Sequence, residues 1–354
     1  MTAVRTVLLT GASGVIGTAL IPELAPAHVV ALVHRTPCPG ATESVAGDIT
    51  APRLGLDPAA YASLAARVDA VVHCAAHTGF SGGRQIAENV NVAGTREVIA
   101  FAADAGAPLY YVSTAFVART ELTRQSLGCG SNDASARPED YLDSKRLAER
   151  LVRDSGLPAV LIRPSVVIGD SRTGVISRFQ GLHEISTVLL RNLLPLMPMP
   201  ASSRLDFVPC DVVARAIAAL VFDRHRDGEV WITAGRAAPS IEALVDTAVT
   251  VGAELGIEVN RPRMVEPEMV DRLIRPVFID PLPPTARRRF DDLLAMTALF
   301  VNAPVFPSTL GQLPRQTAAL TAEQVTDAYR ASLIYLAHTK KLAVPLSSRV
   351  GAPA

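Results

Sequence analysis

The sequence predicts a doubly wound α/β fold, a parallel sheet with helices on both faces, joined to a smaller, mainly helical C-terminal domain. Three observations predict it. Short runs that are apolar throughout alternate with stretches of helical spacing. A glycine-rich turn joins the first run to the first helical stretch. After Arg163-Pro164 the alternation fades into helical pieces punctuated by proline. Strands without a polar side belong in parallel sheets covered on both faces, and right-handed crossovers wind the chain to either side.

The elements follow in order. Residues 4–9 form an apolar strand that stops at Thr10-Gly11, 15–24 an amphipathic helix, and 29–33 a second strand. Residues 70–73 read as a strand, and 89–103 carry helical spacing through Val92, Val98, Ile99 and Ala102. Strand 109–113, helix 140–152 and strand 159–162 complete the regular part. Residues 177–194 look helical until the prolines of 195–200 break them. Regularity resumes over 206–220, where Asp211 reads as a helix N-cap, and again at 229–233, a strand. Beyond Ala234 prolines recur at 262, 267, 276, 281, 283 and 284. The expected division is a dinucleotide-binding unit of 1–170 plus 206–235, a substrate-binding cap of 171–205 plus 236–346, and a flexible tail at 347–354.

Composition narrows the function. The 354 residues balance 34 Lys+Arg against 34 Asp+Glu, so no basic excess steers the chain onto nucleic acid or an anionic membrane. With 49% hydrophobic residues there is ample core, and disorder is excluded. Cys38, Cys74, Cys129 and Cys210 are scattered, with no Cys-x-x-Cys pair and no histidine at ligand spacing. No metal site is expected, and the thiols read as reduced. The first residues run straight into a strand, and the apolar stretch 187–200 is too broken to span a bilayer. The expectation is a soluble, cytoplasmic protein with no membrane partner. Only Lys145, Lys340 and Lys341 are lysines, which makes the single mid-chain lysine conspicuous.

Two constellations carry chemistry. Thr10-Gly11-Ala12-Ser13-Gly14-Val15-Ile16-Gly17 places glycines at 11, 14 and 17 between a strand and a helix. Gly11 suits a tight turn, Gly14 a backbone approached by a pyrophosphate, and Gly17 a helix packed close to the sheet, with the helix N-terminus facing the phosphates. The bland alternative is an ordinary glycine loop; the strand–turn–helix context favours the dinucleotide reading. Roughly 20 residues on, where an acid would hold the ribose of NAD, stand His34-Arg35. Arg35 either pairs with a 2′-phosphate or is a solvated surface arginine; the first reading favours NADP(H). Asp48 either accepts from the adenine amino group or is a turn carboxylate. The second constellation is Tyr141 and Lys145, one helical turn apart and one strand–helix unit after Ser113-Thr114. A nearby ammonium is expected to lower the phenol from its usual value of about 10 toward neutrality, making Tyr141 a proton donor or acceptor. The plain alternative is an unremarkable helix face.

Taken together, T-G-A-S-G-V-I-G, G-D-I at 47–49, V-V-H-C-A-A ending at Ala76, N-V-N-V-A-G-T from Asn89, Y-V-S-T-A, Y-L-D-S-K and I-R-P-S-V-V-I-G resemble the extended short-chain dehydrogenase/reductase superfamily. The resemblance covers about residues 4–235. It implies that Thr114 orients the substrate oxygen, Tyr141 donates the proton, Lys145 binds the nicotinamide ribose and tunes Tyr141, and Asn91 is the structural asparagine beside them. It also implies cofactor contacts from Ser13, Ile49, Cys74, Ala75 and Ala76, and from Pro164, Val166 and Val167 near the nicotinamide. Aligning the alanine after the hydroxyl pair favours Thr114 over Ser113.

Residues 163–174, continuing to 178–183, and residues 204–214 resemble the branch of thioester reductase domains and fatty acyl-CoA reductases. That implies NADPH-dependent reduction of an acyl thioester, with the acyl group arriving on CoA or an acyl carrier protein, and a monomer or homodimer. No adenylation or carrier domain is visible, so the substrate is expected to arrive separately. His77, His183 and His225 read as isolated histidines. The Arg287-Arg288-Arg289 run reads as a solvated face or, less simply, a patch for an acidic carrier. The leucines and methionine of 189–197 read as packing or as the wall of an apolar substrate tunnel. Two rivals remain: an NAD-dependent nucleotide-sugar epimerase or dehydratase, which would favour an acid at His34-Arg35, and a non-catalytic dinucleotide sensor, which has no need of Thr114, Tyr141 and Lys145 together.

Overall fold

The computed structural model describes residues 4–79, 83–119, 138–285, 305–313 and 317–342, with positions 287, 290, 291, 294, 297 and 300. Cys129, Arg288, Arg289 and the tail 347–354 lie outside the described residues. The central sheet is assembled from β1 (Thr6–Thr10), β2 (His28–Val33), β3 (Glu43–Ala46), β4 (Ala70–His73), β5 (Leu109–Val112) and β6 (Ala159–Pro164), joined by a later strand, Glu229–Ile232. All its neighbours are parallel, and the order is Glu229–Ile232, β6, β5, β4, β1, β2, β3. After β1 the chain goes to β2 on one side and later returns to β4 on the other. This opens a crevice at the C-terminal end of β1, where ligands bind in such sheets.

The strands are apolar throughout because each face has its own core. Val7 and Leu9 of β1 and Tyr110 and Val112 of β5 pack with α1 (Val15–Glu23), whereas Leu8, Leu109 and Tyr111 pack on the opposite face. There they meet α2 (Pro58–Ala65), the helical run made of α3 (Gly83–Ala87), a π-helical turn (Glu88–Ala93) and α4 (Gly94–Ala105), and then α5 (Pro138–Asp154). The helix expected over 89–103 therefore starts earlier and carries a π turn.

After β6 the chain continues through β7 (Val166–Ile168) into α6 (Gly181–Leu190), shorter than the expected 177–194, and β8 (Leu196–Met197). The start of the stretch 206–220 is extended, as β9 (Phe207–Pro209) pairing with β7, and the helix begins at Cys210. Pro209, not Asp211, occupies the N-cap of α7 (Cys210–Phe222). Asp211 instead accepts from the backbone N–H (2.9 Å) and the hydroxyl (2.8 Å) of Ser171. The strand Glu229–Ile232 is β10, followed by α8 (Ile241–Leu255), β11 (Arg263–Met264), helical turns over Pro267–Met269 and Val270–Ile279, and α9 (Ala322–Thr339).

A third core joins α6, α8 and α9 to Phe207, Ala115, Phe116 and Leu142, and so abuts the C-terminal edge of the sheet. Phe116 meets Phe300 and Phe306 edge-on, at centroid distances of 5.6 and 5.3 Å. The segment carrying Phe306 lies along β10. Thr309 N–H donates to the Trp231 carbonyl and its hydroxyl accepts from Trp231 N–H, each at 2.9 Å; the Thr233 hydroxyl donates to the Pro307 carbonyl at 2.6 Å. Asp206, buried at the start of β9, accepts from Ala234 and Gly235 N–H at 2.8 Å each. Burial pushes its carboxyl up to about 6. Among the described residues no helix is long and apolar enough to cross a membrane, and no cluster of His, Cys, Asp and Glu could hold a metal ion.

Candidate active site

The glycine turn sits at the crevice. Gly11 has φ +70°, and a Cβ there would stand 2.5 Å from Ala75 N and 2.7 Å from the Cys74 carbonyl carbon, so the turn and the end of β4 touch backbone to backbone. Gly14 is the N-cap of α1, its N–H donating to Gly11 O at 2.9 Å, and no side chain caps the helix. Ser13 and Gly14 are exposed, Ile16 is half-buried and Val15 is buried. Gly17 is buried. Its Cβ would lie 2.3 Å from Gly11 O and 2.7 Å from Ala12 Cα, so the helix is pressed against the turn that follows β1. Uncapped N–H groups, a helix dipole and a backbone surface free of side chains fit the phosphates of a dinucleotide.

At the end of β2, His34 and Arg35 are exposed. Across from them Asp48 accepts from Thr50 N–H (2.9 Å) and hydroxyl (2.8 Å), and its carboxylate lies 3.5 Å from His34 Nε2. The Thr50 N–H, chiefly, holds this carboxyl below its usual range, with help from the charges of His34 and Arg35. The geometry at Asp48 is that of a turn carboxylate. Ile49 is buried beneath Gly94, whose Cβ would come 2.9 Å from Ile49 Cδ1, and Cys74, Ala75 and Ala76 are half-buried along the crevice.

Thr114 follows β5, and its buried hydroxyl hydrogen-bonds the Tyr141 side chain at the start of α5. Lys145, one turn on, is 3% exposed; its ammonium donates to the Val112 carbonyl at 2.7 Å and to Tyr111 Oη at 3.3 Å, and lies 4.8 Å from the Tyr111 ring. The expected acidification of Tyr141 is not found. Burial pushes the phenol up to about 12, opposed by the Thr114 hydroxyl, while burial pulls Lys145 down to about 8. Helical spacing places both residues on one face, but the Lys145 stem carries its charge down to the end of β5.

Asn91, in the π turn, joins three elements. Its Oδ1 accepts from His77 N–H (2.8 Å), and its Nδ2 donates to His77 O (3.0 Å) and to Ser144 Oγ (2.9 Å), which donates on to Tyr141 O at 2.7 Å. A second chain begins at the glycine turn. The Thr95 hydroxyl donates to Asn91 O at 2.6 Å, so His73 Nε2, 3.1 Å away, is the donor to Thr95. His73 Nδ1 then accepts from Thr10 Oγ1 at 2.6 Å, and Thr10 Oγ1 accepts from Ala75 N–H at 3.2 Å. Burial drives His73 down to about 3, keeping it neutral. Val166 is half-buried, whereas Pro164 and Val167 are buried at and just after the end of β6.

Sequence reading missed Glu149. It is the next member of the Tyr141, Lys145 series, four residues on, and is fully buried. Its carboxylate takes two bonds from Arg163, at 2.9 and 2.6 Å, and one from Arg153 at 3.0 Å. Arg163 also donates to Glu229 at 2.5 Å and lies over the Trp231 ring at 4.7 Å. The arginine forks hold Glu149 below its usual range despite its burial. The signal was present in the spacing, but a Glu on a charged helix normally reads as a solvated face.

A glycine turn at the switch point of a parallel sheet, with a Thr–Tyr contact and a buried lysine at the same edge, defines a dinucleotide-binding protein of the extended short-chain dehydrogenase/reductase type. Residues 39–217 match the NAD-binding family described as male sterility protein, and the chain belongs to that family. A linear gramicidin synthase polypeptide of Brevibacillus parabrevis is 29% identical over 257 residues, which cover 62% of this chain and 5% of that protein. Glycine betaine reductase ATRR of Emericella nidulans is likewise 29% identical, over 62% of this chain and 20% of its own length. The chain thus spans a small part of these relatives. In fold it is similar to the terminal R domain of the myxalamid PKS-NRPS pathway, at a TM-score of 0.70 and 23% identity, covering 100% of this chain and 94% of that domain.

Proposed function

We propose that the chain is an NADPH-dependent reductase that delivers hydride to the carbonyl carbon of an acyl thioester, or of a related ketone or aldehyde, on an apolar chain. The observation that carries this reading is the Thr114–Tyr141 contact at the sheet edge, with Lys145 buried one helical turn on and the glycine turn at the same edge. A bound nicotinamide cofactor supplies the hydride. Gly11, Ser13, Gly14 and the first turn of α1 hold its phosphates, Arg35 its 2′-phosphate, and Pro164, Val166 and Val167 line the nicotinamide end. Tyr141, kept protonated by burial, gives its phenolic proton to the substrate oxygen, and Thr114 orients that oxygen. Lys145, whose ammonium stands at the end of β5, binds the nicotinamide ribose. The substrate lies between the sheet edge and the third core, which forms a cap over residues 114–116 and 141–142.

The reductase named among the relatives supports the reaction class, and the synthase among them supports a thioester carried on CoA or an acyl carrier protein. The absence of an acid at His34-Arg35 argues against the NAD-dependent epimerase reading. The test is oxidation of NADPH and NADH against acyl-CoAs, 3-oxo esters and aldehydes. NADPH is expected to be preferred, and Tyr141→Phe to lower turnover by about 10²–10⁴-fold with cofactor binding retained. NADH surpassing NADPH about tenfold would overturn the role of Arg35, and full turnover by Tyr141→Phe the role of Tyr141.

A further inference from the structure

The reaction proposed above uses neither His73, which ends β4, nor Thr95, in the first turn of α4. Both are buried, at 1% and 0% exposure. Buried polar side chains are costly unless their bonding is complete. Here it is complete, and it closes on itself.

Ala75 N–H donates to Thr10 Oγ1 at 3.2 Å, and the Thr10 hydroxyl donates to His73 Nδ1 at 2.6 Å. His73 Nε2–H donates to Thr95 Oγ1 at 3.1 Å, and the Thr95 hydroxyl to Asn91 O at 2.6 Å. The Asn91 side chain then grips His77 at its N–H and its carbonyl, at 2.8 and 3.0 Å. Since Ala76 alone separates His77 from Ala75, the backbone shuts the ring. The ring frames residues 74–77, the crevice wall that Gly11 meets backbone to backbone. Both hydroxyls in it give one bond and take one, and the imidazole does the same as the neutral Nε2–H tautomer.

One branch leaves the ring. Asn91 Nδ2 donates to Ser144 Oγ at 2.9 Å, and Ser144 donates to Tyr141 O at 2.7 Å. Asn91 and Ser144 are each 1% exposed, so water does not compete for these bonds. Hydrogen bonds that run in one direction through a dry interior polarise one another and hold each member to a narrow geometry. We propose that His73 and Thr95 are positioning residues: they keep the crevice wall, Asn91 and Ser144 in one register, and so set the Tyr141 phenol against the substrate oxygen when the dinucleotide lies on that wall. The inference rests on the reading of Tyr141 as proton donor and adds what holds it in place.

Thr95→Val removes the hydroxyl and keeps the shape, whereas Thr95→Ser keeps the hydroxyl. With NADPH and a carbonyl substrate, Thr95→Val is expected to lower kcat about tenfold, the loss of one buried hydrogen bond, and Thr95→Ser to stay within about threefold of the unaltered protein. A residue that acts through Tyr141 has nothing to act on in Tyr141→Phe. In that background Thr95→Val is expected to change the residual rate by less than about twofold. Ser144→Ala cuts the branch at its last link with the loss of a single atom, and the same pattern is expected of it. An equal fall in both backgrounds would mark general loosening, and no fall beside an intact Tyr141 would mark an idle network; either result overturns the proposal. The second arm needs no turnover. In NMR spectra of the full chain carrying Cζ-labelled tyrosine and saturated with NADP+, the Tyr141 resonance is assigned by its loss in Tyr141→Phe. It is expected to shift in Thr95→Val and in Ser144→Ala and to keep its place in Thr95→Ser, and a resonance unmoved by the first two overturns the proposal. If the unaltered protein reduces no carbonyl substrate, the reductase reading fails, and the resonance still decides whether the ring holds Tyr141.

Discussion

Replacing Glu149 by alanine removes a carboxylate with no solvent exposure and leaves the Arg163 guanidinium, 8% exposed, with one carboxylate instead of two. Breaking a buried pair by deleting one partner costs about 3–5 kcal/mol, because the remaining charge stays desolvated. Here Glu229, 40% exposed, keeps its 2.5 Å bond to Arg163, and the Trp231 face still covers the cation, so the lower end applies, about 3 kcal/mol. That is a large share of the roughly 5–15 kcal/mol that holds a domain together. The assay is urea unfolding of Glu149→Ala, of Glu149→Leu, of Arg163→Met, and of the double variant Glu149→Leu/Arg163→Met, the last three closing a cycle. The double variant, which buries no charge at either position, should be more stable than Glu149→Ala. A single-variant loss below about 1 kcal/mol, or a double variant at the sum of the singles, would refute the argument that the pair is desolvated and coupled.

Further outcomes follow from the same geometry. Gly11→Ala, forced to keep φ +70° with its Cβ against Ala75 N, should destabilise by about 1–3 kcal/mol and weaken dinucleotide binding, read by thermal unfolding and cofactor titration; unchanged affinity would contradict the close approach. Lys145 titrates near 8, so kcat should fall as pH rises past 8, where its charge is lost; a profile flat to pH 9.5 would remove its charge from the mechanism. Asp206 has a folded value of about 6 against 3.8, so its native form holds a proton that the unfolded chain releases, and stability drops as pH climbs from 3.8 through 6. Measured against Asp206→Asn, the wild type should lose about 3 kcal/mol over that window; a pH-independent difference would show that Asp206 does not titrate in this way.

The fold was legible because its signals are local. Apolar runs such as Val7–Leu8–Leu9 need both faces covered, and the glycines at 11, 14 and 17 fall between such a run and a helical stretch. What the sequence left unread was set by tertiary partners. Asp211 looks like a cap until Ser171, forty residues earlier, claims its carboxylate. The Tyr141–Lys145 spacing implies an acidified phenol until the Val112 carbonyl takes the ammonium and burial takes the phenol. Glu149 carries no mark of burial until Arg163 arrives from β6.

The segment laid along β10 has a consequence for handling the protein. β10 is the outermost strand on its side of the sheet, and an uncovered outer strand offers a template for pairing with another molecule. Residues 307–309 occupy that margin with their own donors and acceptors, acting as a selvedge on the sheet. A chain cut just before residue 305 would retain Thr114, Tyr141 and Lys145 but show a raw strand to its neighbours, and it is expected to precipitate where the longer chain stays dispersed.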